Sequence, residues 1–288
     1  FGPRDGAIRC ARGAPAKGDA EMFRGGVVGA GIFLAGADRI CLEFARMLEL
    51  DCMTWNVHRC RGRDQRVDPE RIARVLLDLL AADTLDFVVL TEAEGERPPY
   101  GALLDLDRIT EASGLATAHI DASVRWGETS HGFLGTIVVH DPRIEIRDRR
   151  LLDLPGVYPR GASIFMCRFG GHDFRVIATH MSLGQPLRVA QMRAIGQYLA
   201  RQHDVPTLLI GDLNAWRPWG GFAFSPTVAH RAFAGPARRS FPATLPMLPL
   251  DRIMATAPFR VENARVLTSA DLRQASDHLP LRATVRLV

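Results

Sequence analysis

Lysine is almost absent from this chain. Lys17 is the only one among 36 lysines and arginines, so the basic charge is guanidinium nearly throughout. Arginine's forked donors suit phosphate, although a skew spread over the whole chain marks no site. The five cysteines, Cys10, Cys41, Cys52, Cys60 and Cys167, form no CxxC pair and no regular framework. That scatter speaks against a zinc ribbon or a disulfide scaffold and for reduced thiols. There is no run of 18 apolar residues, so no transmembrane segment is expected. Neither charge sign dominates: the formal net charge is +4 and the pI about 9.0. Such a balance does not establish a nucleic-acid partner, but it suits a phosphate-bearing substrate. With 288 residues and 47% hydrophobic content, the chain can bury a substantial core.

Residues 1–47 differ from the rest and are expected to be a disordered leader or upstream extension. Within them, "RGGVVGAGIFLAGADR" has the pattern of a short signal peptide starting at Met22, with Ala35-Gly36-Ala37 as a small-residue cleavage site. A cytoplasmic location is expected, or a secreted or periplasmic one if that segment is a signal. From residue 48 the pattern becomes regular, and one α/β domain is expected over 48–288. Strands are predicted at 50–58, 85–92, 115–120, 132–140, 143–152, 161–169, 173–180, 206–211, 250–256, 259–267 and 280–287. Helices are predicted at 68–82, 101–113 and 186–202. The first is capped by Asp68 with Pro69 at its first position. The third carries Val189, Met192, Ile195 and Leu199 on one side. Residues 215–249 read as irregular.

Several apolar strands end in polar residues. Asn56 ends "MTWN", Glu92 ends "VVLTE", His180 ends "VIATH", and Asp212 and Asn214 end "LLIGDLN". Asp251 follows "LPL", and Asp277 and His278 sit in "ASDHLPL". Each alone has an ordinary reading as a turn former or strand-end residue. Strand ends in α/β folds converge on one rim, where ligand sites lie. Gathered there, these carboxylates, amides and histidines suit one hard divalent cation beside a phosphate. Asp212 and Asn214, at i and i+2, would point to the same side if strand geometry persisted.

In order, TWNVH, LTEAE, ATHMSLG, IGDLNAW, LDRI and SDHLPL resemble the endonuclease/exonuclease/phosphatase superfamily, across about residues 51–287. The resemblance implies a deoxyribonuclease I-like fold, a four-layer α/β sandwich of two mixed β-sheets flanked by helices. It implies metal-dependent hydrolysis of a phosphoester with Mg²⁺, or alternatively Mn²⁺. By motif, Glu92, Asn56 and Asp277 match metal-site positions. Asp212 matches the aspartate that orients or deprotonates the attacking water, and Asn214 the amide that holds phosphate and nucleophile. His278 matches the histidine beside the scissile phosphate, with Asp251 orienting it. His180 matches a second histidine that binds phosphate or assists the leaving group. Arg160 falls where the family often carries an arginine, which makes it a phosphate contact or a solvated turn residue.

Three departures narrow the reading. Gly161 replaces a carboxylate found in the deoxyribonucleases, so His180 lacks that partner. Thr136 stands where many members carry asparagine. "THMSLG" differs from the tyrosine- and asparagine-containing motif of the abasic-site repair enzymes. A phosphodiesterase or nuclease is expected, with nucleic acid as one candidate substrate. A phospholipid- or inositol-phosphate-directed enzyme is the alternative, and a pseudo-enzyme that binds phosphorylated ligands is the non-catalytic one. A monomer is expected. His58, Arg59, Arg61 and Arg63 read as a solvated turn or a substrate-facing basic loop. Trp216, Trp219, Phe222 and Phe224 read as packing under their loop or as stacking platforms.

Overall fold

Alternation along the strands decides which layer each side chain enters. In β1 (Glu49–Asn56), Leu50 and Cys52 face the space between two sheets, and Met53 and Trp55 face helices. In β2 (Phe87–Thr91), Phe87 and Val89 lie between the sheets while Val88 and Leu90 meet the helices. The same division recurs in β8 (Thr207–Asp212): Leu208 and Ile210 point inward and Leu209 outward. Strands apolar on both faces are what a sheet covered on both sides requires.

The computed structural model describes residues 48–95, 97–217 and 221–288. The leader expected over 1–47 and Trp219 lie outside them. The described residues belong to one compact unit. The remaining strands are β3 (Ala116–Thr117), β4 (Ile137–His140), β5 (Glu145–Leu154), β6 (Arg160–Phe169), β7 (His172–Thr179), β9 (Phe233–Ala234), β10 (Asp251–Thr256), β11 (Phe259–Val266) and β12 (Leu281–Leu287). They form two six-stranded sheets, ordered β11-β12-β1-β2-β4-β3 and β5-β6-β7-β8-β10-β9. Each sheet is mixed: β1 runs parallel to β2 and β7 parallel to β8, and the other pairs are antiparallel.

Three apolar layers hold the sandwich. Phe87, Phe165, Phe174, Val176 and Ile210 are among those that fill the space between the sheets. Helices α1 (Pro69–Ala82), α2 (Leu106–Ser113) and α5 (Ala270–Ala275) cover the first sheet through Ile72, Leu76, Ile109 and Leu272. Helix α3 (Gln185–Ala200) and the single-turn α4 (Pro226–Ala229) cover the second through Met192, Ile195, Leu199 and Val228. The expected four-layer sandwich is therefore the observed fold. Asp68 caps α1 by accepting from the Arg71 N–H at 3.0 Å, with Pro69 following. Helix α2 starts later than predicted, at Leu106, because Asp105 takes the cap by accepting from Arg108 N. Helix α5 and β9, unpredicted, are short and lie in segments without a clear period. Cys52, Cys60 and Cys167 are buried free thiols. No helix among the described residues is long and apolar enough to cross a membrane.

Candidate active site

The strand period that fills the core also builds the site. In β1, Asn56 continues the inward face of Leu50 and Cys52. Asp212 continues Leu208 and Ile210, Asp251 precedes Ile253 and Ala255, and His180 follows Phe174, Val176 and Ala178. These four polar groups therefore meet where the apolar interlayer ends. Asn56 Nδ2 donates to Asp212 Oδ2 at 3.0 Å, which ties the two sheets together across the opening. Asp251 pairs directly with Asp212 in the β10–β8 register. Gly211 just before it sits at φ 144, and a Cβ there would lie 2.0 Å from the Thr179 carbonyl oxygen. Only glycine lets β8 approach β7 this closely.

Asn214 does not continue the strand. It adopts a left-handed φ of 49, which asparagine tolerates better than most residues. Its N–H donates to Asp212 Oδ1 at 2.9 Å, and its Nδ2 donates to Met181 O at 2.8 Å and lies 3.4 Å from His180 Nε2. The turn, rather than strand alternation, brings the amide beside Asp212. A local side-chain-to-backbone bond outcompetes the extended form here.

His278 and Asp251 form a buried pair. His278 Nδ1 lies 2.8 Å from Asp251 Oδ2, which also accepts from Ser240 Oγ at 2.5 Å. Burial favours the neutral imidazole. The Asp251 charge and hydrogen bond, with Asp212 and Asp277 adding to them, outweigh burial and push the His278 pKa up to about 10. Asp212 moves the opposite way for a carboxylate. Burial, then repulsion from Asp251, raises it to about 6, against His278, Asn56 and the Asn214 N–H. His278 Nε2 is 3.9 Å from Asp212 Oδ2. His180 Nε2 lies 3.5 Å from the same oxygen and 3.8 Å from Glu92 Oε1. Burial, then the charges of Arg160, His278 and Arg59, push His180 well below its usual value, so it stays neutral. The site thus sets one cationic and one neutral histidine around buried Asp212, with buried Asp251 behind His278.

Glu92 closes the other side. Its Oε1 accepts from Asn56 Nδ2 at 3.3 Å, and its Oε2 pairs with Arg59 Nη1 at 2.5 Å. Arg59 is therefore part of the site and not a solvated turn residue. Arg160 lines the same cleft, of about 280 Å³, with Arg59, Glu92, Tyr100, Tyr158 and His180. Asp277 stands apart from Glu92. It pairs with His58 Nδ1 at 3.5 Å and lines a second cleft with Arg63 and Arg273. Asp212, Asp251 and His278 each offer a ligand atom within 4.8 Å of the others, a buried set with metal-binding chemistry. Gly161 has no room for a side chain, since a Cβ would lie 2.1 Å from the Phe133 ring. Trp216 and Phe222 are exposed rather than packed, whereas Phe224 is buried.

Several supporting residues escape a strand-end reading. Glu94 is buried and gathers the loop before β4: Ser130 Oγ and the Gly132 N–H donate to its Oε1, and the Gly135 N–H to its Oε2. Gln191 of α3 accepts from Ser182 N and donates to Pro155 O and Ser182 Oγ, all within 2.9 Å. It clamps the loops before Arg160 and after His180. Arg188, one turn away, donates to the carbonyls of Ser182 and Leu183. The second glutamate of "LTEAE" was visible in the sequence. Nothing in the helical pattern of 186–202 sets Arg188 or Gln191 apart.

Comparison with known proteins fits this geometry. The chain is 29% identical over 196 residues to the uncharacterised Escherichia coli protein YbhP, covering 59% of this chain and 74% of that one. An endonuclease/exonuclease/phosphatase from Beutenbergia cavernae is 24% identical with a TM-score of 0.58, over 83% of this chain and 72% of its own. A mannosyl-6-phosphatase from Bacteroides thetaiotaomicron has a TM-score of 0.63 at 16% identity, over 82% and 99%. At these identities the two structures share the fold. A family model matches residues 53–278, from within β1 to His278 itself, and the chain belongs to the endonuclease/exonuclease/phosphatase family.

Proposed function

We propose that this protein is a divalent-metal-dependent phosphodiester hydrolase. The observation that carries this reading is the buried Asp251–His278–Asp212 arrangement, a histidine kept cationic beside an aspartate that ionises near neutrality. Ionised Asp212 accepts the proton of a water positioned with Asn214, whose amide also faces the phosphate. Protonated His278 points Nε2 toward the same space and neutralises charge growing on the phosphoryl oxygens. Asp251 keeps that proton in place through Nδ1. Neutral His180 supplies a hydrogen bond without adding a second charge, and Arg160 at the cleft wall contacts phosphate.

The donors fit a hard cation. Glu92 and Asp212 offer carboxylate oxygens on either side of the Asn56 amide, whose Nδ2 donates to both while its Oδ1 accepts from the His58 N–H. Because His278 Nδ1 is committed to Asp251, the Asp212–Asp251–His278 set serves as the base and the charge-neutralising pair rather than as the ion's ligands. Glu92 and Asn56 would hold Mg²⁺ or Mn²⁺, with Asp277 at the far margin. When bound, the ion supplies Lewis-acid stabilisation of charge on the phosphate.

Clefts on both sides of the catalytic pair support a diester, one along Tyr100, Tyr158 and Arg160 and the other along His58, Arg63 and Arg273. Each can seat one substituent of the phosphate. The test compares bis-p-nitrophenyl phosphate with p-nitrophenyl phosphate, then plasmid DNA, single-stranded DNA, RNA and inositol phosphates, with Mg²⁺, Mn²⁺ or EDTA. Metal-dependent cleavage favouring the diester is expected. Preference for the monoester would contradict the diester reading, and ligand binding without turnover would contradict the hydrolase.

A further inference from the structure

Glu92 adopts a left-handed φ of 52. A residue other than glycine holds such an angle only where its surroundings fix it. The Arg59 N–H donates to the Glu92 carbonyl at 2.8 Å, and the Ala93 N–H donates to the Gly135 carbonyl at 2.9 Å. Leu134 and Gly135 are left-handed too, at φ 51 and 81. The loop before β4 therefore turns tightly against the end of β2. A Cβ on Gly135 would lie 3.7 Å from the Glu92 Cα. Leu134 and Gly135 also line the cleft that holds Arg59, Glu92 and Arg160.

Glu94, two residues on, takes no part in the chemistry proposed for Asp212 and His278. It is 2% exposed, and a carboxylate is costly to bury unless hydrogen bonds satisfy it. Its Oε1 accepts from Ser130 Oγ at 2.6 Å, His131 N at 2.8 Å and Gly132 N at 2.7 Å. Its Oε2 accepts from the Gly135 N–H at 2.9 Å. Both oxygens face donors, so an amide in this place would turn its own N–H toward another. The bond to Gly135 reaches furthest. Glu94 holds the Gly135 N–H, and the Gly135 carbonyl holds the Ala93 N–H, next to Glu92.

We propose that Glu94 is a positioning residue: through Gly135 it fixes the turn at Glu92 and so aims the Glu92 carboxylate at the metal ion. This rests on the reading of Glu92 as a metal ligand. The test measures Mn²⁺ affinity of the full chain by electron paramagnetic resonance, without turnover and at a temperature where each variant is folded. Glu94→Asp keeps the charge but is one carbon too short to hold Ser130, Gly132 and Gly135 together. It should bind Mn²⁺ about tenfold or more weakly, as loss of an outer partner of a ligand commonly does. Glu92→Gln should weaken binding at least as much. Ser130→Ala, which also keeps the charge, should weaken it by a smaller factor. Leu199→Ala opens a cavity in the helix layer of the other sheet. It should lower the melting temperature and leave Mn²⁺ affinity native. Native affinity in folded Glu94→Asp, or in Ser130→Ala if Glu94→Asp does not fold, would overturn the positioning role alone. An equal loss in Leu199→Ala would overturn it too, since instability would then explain the effect. Native affinity in Glu92→Gln would overturn the ligand reading itself, and the placement with it.

Discussion

Asp251 sets the charge of His278, and this decides the pH range in which the site can act. The pair keeps the imidazolium up to a pKa of about 10. The protonated form is the working one, so kcat/KM should hold through neutral pH and fall as pH rises through that value. Replacing Asp251 with Asn removes the main charge favouring the proton. The alkaline limb should then move down by at least a unit, and an unmoved limb would show that Asp251 does not govern His278. The identities of Asn56, Glu92, His180, Asp212, Asp251 and His278 were legible because each stands at the start or end of an apolar stretch. The conformation of Asn214 was not, since its left-handed turn depends on the Asp212 carboxylate and the Met181 carbonyl brought there by folding. Ser240, which donates to Asp251, is one serine among many in the sequence.

At the scale of elements, β7, β8 and α3 work together. Gly211→Ala would force a Cβ into the Thr179 carbonyl at a backbone angle that disfavours side chains. A loss of about 3 kcal/mol or more is expected in urea unfolding, and native-like stability would refute the close-approach argument. Gln191→Ala leaves Ser182 N and Pro155 O without this partner. It should cost about 1–3 kcal/mol and lower kcat/KM through the loosened Arg160 and His180 loops. Unchanged kinetics would mean that the clamp does not position them. Most strands and the three long helices follow from period-2 and period-3.6 patterning. Helix α5 is only six residues and shows no period, although Ser269 caps it by accepting from Leu272 N at 3.1 Å. The clamp by α3 was hidden because a buried Gln looks in sequence like a surface one until its partners are known.

At the scale of the sandwich, Asp212, Asp251, His180 and His278 are buried at one end, and His119 and His140 are buried elsewhere. His119, packed against Phe165 and bonded through Nδ1 to Val124 O at 2.7 Å, is pushed down to about 4, mainly by burial. The unfolded chain takes up its proton near pH 6.5, and the folded chain only near 4. Stability should therefore drop as pH falls through that window, by about 3 kcal/mol for this residue. Urea unfolding from pH 7 to pH 4 measures the drop. His119→Gln should flatten it, and an equal slope in the variant would exclude His119 as the cause. The fold class was legible from the ordered strand-end motifs. The central claim, metal-dependent hydrolysis through Asp212, is tested most directly by turnover of bis-p-nitrophenyl phosphate by native protein and Asp212→Asn. The account predicts turnover with Mg²⁺ or Mn²⁺, none with EDTA, and a loss of about 10²-fold or more in a folded Asp212→Asn variant. EDTA-resistant turnover, or full activity in Asp212→Asn, would contradict it.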